Sequence, residues 1–239
     1  DPTGVVSTIN IDPLMVRWSD QESYSVWTPA VTNQAGSYRL SQGSQIISAI
    51  QTRQEILIWT DVAVYSMQFI GAPYVWSFQL MGANISIVSQ NSVATANNMT
   101  YWMGIDKFYV YSGKVDTLPC ALRRDIFDNF NAAQAAQVFA GVNDGFNEIW
   151  WFYPRGDATE CTDAIVYNVR ENTWYDAGEA LGARRSAGYF SEVFHYPVNA
   201  SWEENETGAV NIVTHTPGDG PGWHRAGGEH SRRRACELL

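Results

Sequence analysis

Short apolar runs, broken by Asn, Asp and Gly, dominate this chain, and one run returns three times. Ile56-Leu57-Ile58-Trp59 is continuously apolar, Thr60-Asp61 reads as a tight turn, and Val62-Ala63-Val64-Tyr65 follows. A run this short, rich in β-branched and aromatic residues, predicts a strand rather than a helix. The frame recurs as Tyr101-Trp102-Met103-Gly104-Ile105-Asp106 followed by Phe108-Tyr109-Val110-Tyr111. It recurs again as Ile149-Trp150-Trp151-Phe152-Tyr153, a polar insert from Arg155 to Thr162, and Asp163-Ala164-Ile165-Val166-Tyr167. The aspartates stand at 61, 106 and 163, giving steps of 45 (106 − 61) and 57 (163 − 106), the longer one holding the insert.

The strand before each run recurs as well: Gln45–Ile50, Ser92–Ala96 and Val138–Val142, each followed by a polar turn. A repeat of about 40–50 residues built of strands is the pattern of propeller blades, each of which needs neighbours to cover its two faces. The expected fold is therefore all-β and β-propeller-like, with repeated three- to four-stranded antiparallel blades. The units fall at about 45–80, 92–119 and 138–178, with a weaker one at 186–215. Three or four blades are few for a closed propeller, so the chain reads as an incomplete one, a segment of a longer protein.

Between the units the pattern changes twice. Leu122, Ile126, Phe127 and Phe130 make a helical stripe, which predicts a short helical insertion near 121–137, either a connecting helix or an interface helix. From Thr216 onward strand periodicity stops, so 1–215 reads as the propeller-like domain and 216–239 as an irregular, disordered or non-native tail. That tail holds Arg232-Arg233-Arg234 on a chain whose first 215 residues carry 11 Lys/Arg against 22 Asp/Glu. At the other end, Val5–Ile11 and Leu14–Trp18 read as strands. Asp20, between Trp18 and Trp27, reads as an Asx-type turn over which the two indoles could pack. Ser19-Asp20 with a following Trp is similar to the Asp-box of sialidase-type propellers, without its Gly. In Trp150–Tyr153 alternate residues face opposite ways, so aromatics on both faces predict a strand buried on both sides.

Composition narrows the function. Hydrophobic residues make up 45%, charged residues only 17%, and the net charge is −10, with Lys107 and Lys114 the only lysines. A nucleic-acid binder is normally basic, so sequence-specific DNA or RNA binding is not expected. Cys120, Cys161 and Cys236 are odd in number and unrelated in spacing, which gives neither a disulfide framework nor a metal pair. No apolar run approaches the ~20 residues of a membrane helix, and no signal peptide is visible at Asp1-Pro2-Thr3-Gly4. The sequons at Asn84, Asn98, Asn199 and Asn205 are read as chance.

No phosphate loop, dinucleotide fingerprint, zinc-protease motif or nucleophile elbow is present. His195, His215, His224 and His230 fall late and without local partners. The carboxylate pairs Asp125/Asp128 and Glu203/Glu204 sit where solvated acids usually sit, and Arg155-Gly156-Asp157 reads as turn chemistry rather than an integrin ligand. The expectation is a non-enzyme with no catalytic, cofactor-binding or metal-binding residues and no cofactor.

Taken together, Arg17–Asp20 with Trp27-Thr28-Pro29, Leu57–Asp61 with Val64–Gly71, Tyr101–Gly104, Phe108–Tyr111, and Gly141–Asn143 with Glu148–Pro154 resemble tailed-bacteriophage virion structural proteins. The likeness is to the tail nozzle, or tail tubular, proteins of short-tailed phages and related packaged-DNA-stabilising proteins, over about Val16 to His215. It implies a homo-oligomeric ring, a hexamer in the family, below the portal and its adaptor and beside other tail proteins. Ejected DNA passes through such a ring without specific contacts. It also implies assembly in the host cytoplasm and a final place in the virion. An acidic, lysine-poor surface suits a conduit that must not hold phosphates. Two alternatives stay open: a carbohydrate-binding or sialidase-like propeller, and an extracellular adhesion propeller.

Overall fold

Short connections between short apolar strands build this protein from antiparallel sheets. The structure is a computed structural model and describes residues 12–177, 185–189, 198–204, 210–215 and 223–225. Among them are four four-stranded sheets and one two-stranded ribbon, each four-stranded sheet running in sequence order, as propeller blades do. The fold is all-β and β-propeller-like, as the repeat predicts. The chain divides into two units, residues 1–87 and 88–239.

In the first unit, β1 (Met15–Trp18) and β2 (Gly36–Arg39) form the ribbon. The first blade is β3 (Ile46–Gln51), β4 (Ile56–Thr60), β5 (Ala63–Gly71) and β6 (Val75–Ala83). The tight turn falls one residue later than the sequence suggests, at Asp61-Val62. Thr60 ends β4 and its hydroxyl closes the turn, donating to the Ala63 carbonyl at 3.2 Å and accepting from the Ala63 N–H at 3.0 Å. Asp61 accepts from the Ser44 N–H at 2.7 Å and the Ser44 hydroxyl at 2.8 Å, so the turn is tied to the loop that leads into β3. Leu14, Leu40, Ile58, Ala63, Tyr65 and Met67 form the core between ribbon and blade. Asp20 does accept a backbone N–H, at 2.8 Å, but from the distant Gln34, whose carbonyl takes the Trp18 indole proton at 2.8 Å. Trp27 does not share that contact: its indole donates to the Tyr24 carbonyl at 2.9 Å.

The second unit holds three blades. The second blade of the chain is β7 (Val93–Ala96), β8 (Met99–Met103), β9 (Phe108–Tyr111) and β10 (Val115–Leu118). The third is β11 (Phe139–Asn143), β12 (Glu148–Tyr153), β13 (Asp163–Asn168) and β14 (Thr173–Ala177). The fourth is β15 (Ala187–Tyr189), β16 (Val198–Glu204), β17 (Val210–His215) and β18 (Trp223–Arg225). The Asn97-Asn98 turn of β7–β8 has φ of 51° and 61°, the left-handed pair that matches the twist of a two-residue hairpin. In the β13–β14 hairpin, Asn168 accepts the Arg170 and Glu171 N–H groups while Asn172 takes φ 55°.

As the alternation predicts, β12 is buried on both faces. Trp151 and Tyr153 join the large core with Phe108, Tyr101 and Ile165, while Trp150 and Phe152 join Phe139, Cys161 and Val166 on the other side. The helical insertion is shorter than its stripe suggests. α1 (Arg123–Asn129) buries Ile126 and ends at Phe130, whose ψ of 131° is extended. Asn131 then caps a separate 3-10 turn over Ala132–Gln137 by accepting the Ala133 N–H at 3.2 Å.

The stretch after Thr216 differs from its reading at one point. Trp223–Arg225 supplies the fourth strand of the last blade, with Thr214 opposite His224 and His215 opposite Trp223. Three residues are too few to show alternation, and an edge strand is held by main-chain bonds that leave no mark in composition. The expected strand Val5–Ile11, and His195, His230, Asn205, Arg232–Arg234 and Cys236, lie outside the described residues.

Candidate functional site

Several ionisable side chains among the described residues hold the fold. Arg155 makes a two-pronged pair with Asp125, both nitrogens at 2.9 Å, which ties the insert after β12 to α1. This pairing holds the Asp125 carboxyl below the usual carboxylate range, and it raises the Arg155 guanidinium in turn. Arg155 of the Arg-Gly-Asp tripeptide is therefore committed within the chain. Asp106, the counterpart of Asp61 in the second blade, accepts from the Arg123 guanidinium at 3.2 Å, while its carbonyl takes the Arg123 Nε proton at 2.6 Å.

Glu148 lies beside the aromatic face of β12 and accepts from the Trp150 indole at 3.0 Å, the Asn143 amide at 3.3 Å and the Tyr175 hydroxyl. Burial, then this carboxylate, push the Tyr175 phenol upward. Neither Cys120 nor Cys161 is in a disulfide, and burial pushes their thiols up to about 11 and about 12. No group of three or more His, Cys, Asp or Glu side chains among the described residues could hold a metal ion.

What stands out instead is an aromatic arm in the first unit. The β4 ladder ends at Ile56 opposite Met67, but β5 and β6 continue as a two-stranded hairpin. There Gln68 faces Ser77 and Phe69 faces Trp76, with no third strand among the described residues. At its base the arm is held by the ribbon. Tyr38 stacks on Phe78 with ring centroids 4.2 Å apart and planes 6° apart, and Trp18 lies 5.9 Å from Phe78 on the inner side. Toward the tip the cover stops: Phe69 is 64% exposed, Ile70 55% and Tyr74 76%. Arm and ribbon enclose an open groove of about 570 Å³, lined by Trp18, Gln34, Tyr38, Tyr74, Trp76 and Phe78 among others. The Gln34 amide and the Tyr38, Tyr74 and Ser77 hydroxyls around it make no hydrogen bond among the described residues.

The sequence places these residues within the repeat unit at about 45–80, where Tyr74, Trp76 and Phe78 alternate along a strand after a turn at Gly71–Pro73. The missed signal is charge: from Val62 to Ile105 the chain holds no Asp, Glu, Lys, Arg or His.

No protein-family profile matches the chain. No curated protein matches it either. Among solved structures, it is similar to Hsv2 of Kluyvelomyces marxianus, a β-propeller, with a TM-score of 0.50 and 10% identity over 87% of this chain and 56% of that one. The chain thus spans a little over half the length of that relative. A chain in the S. cerevisiae Dbp5–Gle1 structure matches at a TM-score of 0.38 and 10% identity, over 76% of this chain and 47% of that one. At such identities the likeness concerns the fold alone, and the Hsv2 match defines a protein of β-propeller class.

Proposed function

We propose that this chain is a non-enzymatic structural subunit of a tailed-phage virion, part of a nozzle ring that forms the DNA exit conduit below the portal and adaptor. The observation that carries the reading is the set of segments that resemble that family. Leu57–Asp61, Tyr101–Gly104 and Glu148–Pro154 supply the strands and turns at the centre of three successive blades. A ring subunit of this kind needs rigid blades and broad contact surfaces rather than a catalytic pocket. The acidic balance, −10, suits passage of DNA without retention. The test is genomic. Neighbouring reading frames that encode a portal, a capsid protein or other tail proteins are the expected result. Neighbours from carbohydrate metabolism would overturn the reading.

The groove supports a second reading, a carbohydrate-binding propeller, because aromatic faces beside neutral amides and hydroxyls are what a sugar ring meets. Among the described residues its lining has no carboxylate or arginine, which favours a neutral glycan over sialidase-type chemistry. A glycan-binding screen separates the two readings.

A further inference from the structure

We draw no further inference here: the strongest candidate, the open aromatic groove between the β1–β2 ribbon and the outer halves of β5 and β6, belongs to the site already described, and nothing in the structure shows what covers its exposed apolar wall.

Discussion

Trp151 of one blade and Phe108 of the preceding blade meet with ring centroids 5.1 Å apart and planes at 52°, while the Trp151 indole donates to the Ser92 carbonyl at 2.9 Å. One side chain thus supplies both apolar contact and a hydrogen bond between neighbouring sheets. Truncation to alanine removes both, and the Ser92 carbonyl keeps only its bond from the Met103 N–H at 3.2 Å. Trp151→Ala should cost about 3–5 kcal/mol, and Trp151→Phe less, since the ring contact survives. Urea unfolding of the two variants measures the difference. Equal losses would deny the ring contact a role, and no loss in Trp151→Phe would deny one to the indole proton.

The turn that ties β4–β5 to the loop before β3 depends on a glycine. Gly43 has φ +109°, and a Cβ there would lie 2.6 Å from Asp61 Oδ1 and 2.7 Å from Thr60 Cβ. Gly43→Ala should destabilise by about 1–3 kcal/mol, because both backbone strain and a steric clash oppose it. Thermal melting with a shift under one degree would contradict this.

Acid should loosen the protein through specific carboxylates. Asp12, Asp61 and Asp125 all have pKa values lowered from 3.8: Asp12 chiefly by the Leu14 N–H, Asp61 chiefly by the Ser44 N–H, and Asp125 chiefly by Arg155. Because their folded values lie below their unfolded ones, each contributes stability above about pH 4 that is lost as pH falls through the folded value. The melting temperature should therefore drop below about pH 4, with a shallower acid slope in Asp61→Asn. An unchanged slope in that variant would show that Asp61 contributes nothing to the acid transition. Arg155 and Asp125 are partly exposed, 31% and 54%, so a double-mutant cycle on this pair should give only the small, salt-screened coupling of a surface ion pair.

Cys161 reports on closure of the outer β12 face. It is 2% exposed, its thiol donates to the Gln137 carbonyl at 3.2 Å, and burial pushes it up to about 12. Ellman reagent at pH 8 should therefore fail to modify it until the sheet opens in denaturant. Modification in the folded state, located by peptide mapping, would contradict the packing of Phe139, Phe152 and Val166 around it.

The blades were legible because each strand carries its own signal. Trp59, Trp102 and Trp151 each sit at 0% exposure in the second strand of their blade, so the repeated apolar run marks equivalent core positions. The two-faced burial of β12 followed from alternation alone. The fourth strand of each blade was harder to see, because edge strands such as β10 and β18 are short and their main-chain pairing does not require apolar periodicity. Asp20 shows a different limit: its acceptor role was readable, but its donor, Gln34, lies fourteen residues on and depends on how the loop folds back. The arm was hidden for a third reason. A strand pattern shows that residues pair, not where the third strand stops.

The most direct test of the virion account is mass spectrometry of density-banded phage particles grown on the host that carries this gene. The account predicts that peptides of this chain, including Gln54–Lys107, band with the particles in a fixed ratio to the portal protein. Recovery of the chain only in the soluble lysate, with none in the banded particles, would contradict it.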